Sequence, residues 1–138
     1  MYMKNLFLTL LLLPLVSFTA NIQYDLIGEW EGEDQGEIGL IVFQKNGFAY
    51  FEVAGQRYGG EEFELDGKKG SMKYKINSNV DPVEVDFVVT KHETKEQRSL
   101  LGILKFTDED SMTLAIGFNG PRPTGFDSEN SIRLNRIE

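Results

Sequence analysis

The sequence of 138 residues contains no cysteine, one histidine and one tryptophan. Without cysteine the chain forms no disulfide bond, holds no iron–sulfur cluster and offers no thiolate as a zinc ligand or nucleophile. A single histidine excludes every site that needs two imidazoles. Basic residues are also few, since 14 Lys and Arg stand against 22 Asp and Glu and give a net charge of −8. Because nucleic-acid binding depends on clustered basic side chains, we expect no nucleic-acid partner.

The sequence also lacks a P-loop, a glycine-rich dinucleotide-binding motif and a G-x-S-x-G nucleophile elbow. We therefore predict no cofactor and assign no catalytic residue. A composition of 41% hydrophobic and 26% charged residues is typical of a globular protein rather than a disordered one. A chain of this length corresponds to one domain.

The beginning of the chain, residues 1–20, has the pattern of a secretory signal peptide. A basic residue is followed by a short apolar run at 6–16 and then by small residues. A membrane-spanning helix needs about 20 apolar residues, so this run is too short to be one. Cleavage is expected after Thr19 or after Ala20. The sequence thus predicts a secreted or periplasmic protein with one folded domain, residues 21–138, and no membrane attachment after cleavage.

The rest of the chain shows apolar residues alternating with polar ones, which is the pattern of short β-strands. Asn46 and Gly47 separate two apolar runs and predict a hairpin with a type I′ turn. Asp66 and Gly67 predict a second hairpin in the same way. About eight or nine strands at a spacing of roughly 8–12 residues predict a single all-β domain, an antiparallel barrel or barrel-like sheet.

The two ends of this domain resemble the lipocalins. The first predicted strand contains a G-E-W sequence that ends at Trp30, and the last contains Arg136. In lipocalins a Trp at this place closes the base of the barrel, and a basic side chain from the last strand packs across it. A guanidinium over an indole contributes about 0.5–2 kcal/mol. Arg136 fits because it shares a strand face with Ile132 and Leu134, and Arg133 is the alternative.

The C-terminal half is similar to an uncharacterised bacterial lipocalin-like domain family through four short motifs in the same order. These are D-P-V-E-V-D from Asp81, L-G-I-L-K-F from Leu101, M-T-L from Met112 and R-P-T-G-F-D from Arg122. The resemblance implies a lipocalin-like barrel in an exported protein, and it implies no reaction. The chain is shorter than the large lipocalins and lacks their helix after the barrel, so the resemblance does not imply a roomy cavity.

A barrel of about eight strands is just wide enough either to be filled by side chains or to hold one small ligand. The leading hypothesis is a binding module for a small apolar or amphipathic molecule. Its candidate lining residues are Tyr74, Phe87, Ile116, Phe118, Phe48 and Tyr50, with Phe43, Phe63 and Phe106 as further aromatic candidates.

The alternative hypothesis is a filled barrel that serves as a structural or protein-interaction domain. Its function would lie in exposed loops or in the strand at residues 39–43, which is apolar on both faces. Coverage of that strand by a neighbouring loop is the simpler interpretation. The sequence leaves a protein partner or self-association open.

Arg122 lies in the most distinctive loop, between Pro121 and Pro123, which restrict its backbone. A rigid loop that presents an Arg suits recognition of a carboxylate or phosphate. The alternative, which we favour, is that Arg122 pairs internally with Asp127 or Asp86 and holds the loop to the barrel.

The remaining polar candidates predict no specific chemistry. His92 lies in a charged stretch between two strands and is expected to be an exposed loop residue rather than a catalytic base. Glu29, Glu31 and Glu33 share one face of the first strand, where they favour a solvated surface over a Ca²⁺ site. A hydrolase that uses paired carboxylates is the third hypothesis, because 22 acids offer pairs in any fold. We predict no metal site.

Overall fold

The computed structural model describes residues 24–33 and 38–138, which form nine β-strands and no helix. The strands are β1 (Gly28–Gly32), β2 (Ile38–Phe43), β3 (Ala49–Val53), β4 (Gln56–Leu65), β5 (Lys68–Asn77), β6 (Val83–Lys91), β7 (Gln97–Asp108), β8 (Ser111–Gly117) and β9 (Ser131–Arg136). Each strand pairs antiparallel with the next, and β9 pairs with β1. The sheet therefore closes into a barrel, which confirms the predicted all-β antiparallel fold.

The predicted signal peptide lies outside the described residues. Within the described ranges, no helix has the length and apolar character needed to cross a membrane.

The hairpins form where the turn residues predict them, but one turn type differs from the prediction. Gly47 has a φ of +91° and its N–H donates to Gln44 O at 3.1 Å, whereas Asn46 does not have a positive φ. The prediction of a type I′ turn is therefore wrong at this hairpin, which uses a three-residue loop ending in a left-handed glycine. Asp66 and Gly67, with φ of +53° and +77°, do form the tight two-residue turn.

Strand β4 turns a corner within its own length. Gly59 and Gly60 have φ of +116° and +85°, and the register of the β4–β5 pair shifts after Gly60. The first half of β4 pairs with β3, and the second half pairs with β5. Since β4 leaves β3 at this corner, Phe48 just before β3 bridges directly to Lys73 of β5. The corner allows the sheet to bend enough to close.

The interior of the barrel is filled by side chains, and aromatic rings form its centre. Phe87 of β6 is fully buried and contacts Phe51 and Phe43, with ring centroids 4.8 Å and 5.8 Å apart. Phe43 in turn meets Tyr74 edge to face at 5.0 Å. Burying each such side chain contributes about 1.5–3 kcal/mol relative to its exposure. The interior is therefore a packed core.

The contact predicted between Trp30 and Arg136 is present. The indole is fully buried, the Arg136 guanidinium carbon lies 4.3 Å from its ring centroid, and Trp30 Nε1–H donates to Leu26 O at 2.9 Å. Arg136 also donates to the carbonyl oxygens of Asp25 and Ile27, the latter at 2.7 Å. These bonds hold the segment before β1 across one end of the barrel.

The outer face of β2 is apolar as predicted. It is covered at Val42, by the adjacent strand rather than by the neighbouring loop that we expected, whereas Leu40 is half-buried and Gly39 is exposed. Ile41 and Phe43 belong to the core, and Val42 points to the other face of the strand yet is only 7% exposed. Its direct neighbour on β3 is Tyr50, which is also buried. The cover is therefore a side chain of the adjacent strand.

Candidate functional site: a pocket at one mouth of the barrel

Three of the predicted cavity-lining residues do point into the barrel. Phe87 and Ile116 are 0% and 4% exposed and belong to the core, against which Tyr74 packs half-buried. Phe87 and Ile116 are enclosed by other side chains. Of the three residues, only Tyr74 borders a pocket.

The prediction that Phe118 lines the interior is wrong. Phe118 follows the last residue of β8 and is 46% exposed. The alternation of β8 ends at Gly117, so the inward direction that it gives to Ile116 does not extend to Phe118.

The predictions for Phe48 and Tyr50 are also wrong. Phe48 pairs with Lys73, whose ammonium lies 5.3 Å from the centre of its ring, on the outside of the barrel. Tyr50 is buried, but the Arg57 guanidinium stacks on its ring at 3.9 Å, on the strand face opposite the core residue Phe51. In β3 the inward position belongs to Phe51.

A pocket of about 730 Å³ lies at the end of the barrel where β1 and β6 begin and β5 and β7 end. The segment before β1 frames one side, and the turn between β5 and β6 frames the other. Its lining residues are Tyr24, Asp25, Leu26, Ile27, Tyr74, Ile76, Ser78, Asn79, Val80, Asp81, Val83, Leu104 and Phe106.

The floor of this pocket, which we call the mouth pocket, is apolar, and its rim is partly apolar. Leu26 and Leu104 are 5% and 1% exposed and form its buried part. Ile27, Ile76 and Val80 are about two-fifths exposed, and they are three of the six large hydrophobic side chains exposed in the described residues. Scattered exposed aliphatic residues are ordinary, whereas three around one concavity form a local apolar patch.

The aromatic wall of the mouth pocket connects it to the core. Phe106 meets Tyr24 edge to face at 5.4 Å and lies 6.1 Å from Trp30. Tyr74 donates its hydroxyl proton to Gln44 O at 3.0 Å. Because these rings are fixed by packing and hydrogen bonding, the wall is formed before any ligand arrives.

The polar side chains that line the mouth pocket are one amide, Asn79, the hydroxyl-bearing Ser78, Tyr24 and Tyr74, and two carboxylates. Asp25 comes from the segment before β1, where its Oδ1 accepts the Ile27 N–H at 3.0 Å, and Asp81 comes from the β5–β6 turn. The pKa of Tyr74 is raised above its ordinary value, first by burial and then by the negative charge of Asp25. The negative potential of Asp25 therefore reaches the pocket wall.

Most of the mouth pocket was not predicted from the sequence. Tyr74 and Phe106 were candidates, but Tyr24, Leu26 and Ile27 precede the first strand and follow no strand periodicity. The signal that could have found the other side is Val80, an aliphatic residue within a turn otherwise made of Ser, Asn, Asp and Pro.

Arg122 is used to attach the loop after β8 to the outside of the barrel. Its Nη1 donates to Asp86 Oδ1 at 2.7 Å and to Gly102 O at 2.8 Å, and its Nε lies 3.0 Å from Glu84 Oε2. The hydrogen bond with Asp86 raises the pKa of Arg122 further above its usual range. The predicted pairing with Asp86 is confirmed. Two carboxylates already face this guanidinium, so the site disfavours a further anion.

Arg122→Ala is expected to lower the free energy of unfolding by about 2 kcal/mol, because hydrogen bonds to charged partners contribute about 1.5–3 kcal/mol. The measurement is equilibrium urea denaturation. Arg133→Ala removes an equal charge from an exposed strand position and should change stability by less than about 0.5 kcal/mol. Equal losses in the two variants would contradict the role of Arg122 in attaching the loop.

The other polar candidates do not assemble into a site. His92 is half-buried at the end of β6, where its backbone N–H donates to Lys69 O at 3.0 Å. Glu29 and Glu31 flank the buried Trp30 and therefore share the outer face of β1. Among residues 24–33 and 38–138, no three His, Cys, Asp or Glu side chains are grouped to hold a metal ion.

Comparison of the chain with protein-family models, with curated proteins and with solved structures finds no match. The fold and the site define the class of molecule: a closed antiparallel barrel with a packed interior and an apolar pocket at one mouth.

Proposed function

We propose that the protein is an exported, lipocalin-like binding module that holds one small amphipathic molecule in the mouth pocket rather than in the barrel interior. The observation that supports this most directly is the pocket of about 730 Å³ with a buried apolar floor. Pockets for small molecules have volumes of about 300–1,000 Å³ and are mostly apolar with a few polar groups.

The packed core accounts for the position of this site. A ligand in the barrel interior would have to displace Phe87 or its ring partners, and disrupting the packing of such a core costs several kcal/mol. A ligand at the mouth displaces only water. It would also cover Ile76 and Val80, which are exposed in the free protein.

The sequence supports the other two parts of the proposal. The signal-peptide pattern at residues 1–20 supports export to the periplasm or the exterior. The order of the four C-terminal motifs, together with the stacking of Arg136 on Trp30, supports the lipocalin-like relationship.

Titration of the purified protein with the neutral fluorescent probe N-phenylnaphthylamine is expected to show saturable one-to-one binding. Ile76→Asp should weaken this binding by about tenfold or more, because it places a charge on the apolar rim. Leu65→Asp makes the same change at an exposed aliphatic residue that does not line the mouth pocket, and it should leave the affinity unchanged.

Absence of saturable binding by a protein that unfolds cooperatively would contradict the proposal, as would equal weakening by the two variants. Absence of probe binding would support the second candidate function, a protein-interaction domain. The packed interior also favours that function.

A further inference from the structure

The charge of the mouth pocket has one sign. Its lining, which consists entirely of described residues, contains Asp25 and Asp81 and no Lys, Arg or His. The two carboxylates belong to the two segments that frame the opening. They act in a protein whose net charge is already −8, so the local potential adds to that of the whole surface.

In the described residues, no basic side chain near this end of the barrel forms an ion pair with Asp25 or Asp81. Arg136 stacks on Trp30 and donates to the backbone oxygens of Asp25 and Ile27, but its Nε pairs with an Asp110 carboxylate oxygen at 3.2 Å. Lys75 and Lys105 are exposed. Their neighbours in the strand face inward, so both lysines face outward, and neither lines the pocket. The carboxylates of the mouth pocket therefore keep their negative charge available to a ligand.

The aromatic wall favours the same sign of ligand charge. Tyr24, Tyr74 and Phe106 all line the pocket. Aromatic faces attract ammonium groups within about 6 Å of the ring centre, and the attraction increases as the cation loses water. An anionic head group in this pocket would meet two carboxylates and no basic side chain.

We infer that the mouth pocket selects amphiphilic ammonium compounds, with the apolar body on Leu26 and Leu104 and the cationic head between Asp25 and Asp81. This inference rests on the proposed function, because it names the class of ligand for the same site. It predicts a preference by charge that the apolar floor alone would not produce.

The test is displacement of bound N-phenylnaphthylamine by three molecules of equal chain length: octylammonium, octanol and octanoate. Octylammonium is expected to displace the probe at a concentration about tenfold or more below that of octanoate, with octanol between them. Added salt should reduce this difference, because the carboxylates are near solvent.

The variant Asp25→Asn with Asp81→Asn keeps the shape and one acceptor oxygen at each position while removing both charges. It should lose the preference for octylammonium over octanoate, measured relative to the variant's own affinity for the probe. Asp66→Asn, in the exposed β4–β5 turn, is the matched control and should keep the preference.

Three results would overturn the inference alone: displacement by octanoate at the same concentration as octylammonium, a preference that survives in the double variant, or an equal loss in Asp66→Asn. Failure of the probe to bind the unmodified protein would overturn the proposed function as well. The two failures are therefore distinguishable in one experiment.

Discussion

Phe87→Ala is expected to lower the free energy of unfolding by about 3–5 kcal/mol, as is usual when a buried aromatic ring is truncated. Phe87 is 0% exposed, and its ring meets Phe51 edge to face at 4.8 Å. The variant loses this contact and leaves a cavity that rings fixed on opposite sides of a closed barrel cannot refill. Equilibrium urea denaturation followed by tryptophan fluorescence would measure the change.

Phe118→Ala is the matched control, since the same side chain is truncated at a position that is 46% exposed. It should change stability by less than about 0.5 kcal/mol. If Phe87→Ala lowered stability as little as Phe118→Ala, Phe87 would not be at the centre of the core. A loss at Phe118 alone would reverse the assignment of inward and outward positions.

Gly59→Ala is expected to destabilise the protein by about 4 kcal/mol, from backbone strain and steric overlap together. Gly59 has a φ of +116°, which L-residues rarely adopt, and a Cβ there would lie 2.6 Å from Ala49 O and 2.9 Å from Tyr50 Cα. Both contacts are with the backbone of β3, which cannot move without breaking the sheet. Thermal and urea denaturation would both record the loss.

Gly60→Ala separates the two causes. Gly60 also has a positive φ, +85°, but a Cβ there meets nothing within 4 Å. It should therefore show only the backbone strain, about 1–2 kcal/mol. If Gly59→Ala costs no more than Gly60→Ala, the close approach of β3 to the β4 corner is not a constraint on the barrel.

Alternation predicted the strands, and turn residues predicted two of the hairpins, because each depends on neighbours in the sequence. The direction of individual side chains was harder to predict where both faces of a strand are aromatic. In β3, Tyr50 and Phe51 are consecutive aromatic residues, so alternation does not say which one points inward. The hydrogen-bond register of the closed sheet decides this, and it directs Phe51 into the interior.

The choice between a hollow and a filled barrel also depends on three-dimensional packing. Phe43 and Phe51 come from consecutive strands, but Phe87 lies on β6, and the contact of its ring with the other two fills the interior. The mouth pocket was hard to predict for a different reason. Its sides are a segment before the first strand and a turn, neither of which has a periodic pattern to interpret.

The pairing of β9 with β1 has a consequence for the order in which the barrel assembles. Every other strand pairs with its neighbour in the sequence, whereas the bond from Arg136 to Ile27 O spans 109 residues. Loop-closure cost grows by about 0.6 kcal/mol per doubling of length, so this closure costs about 3 kcal/mol more than a hairpin. We therefore expect the hairpins to form early and this junction to form last.

The indole of Trp30 would then remain accessible to water until Arg136 covers it. Its fluorescence would report the final step of folding, separately from the formation of the sheet.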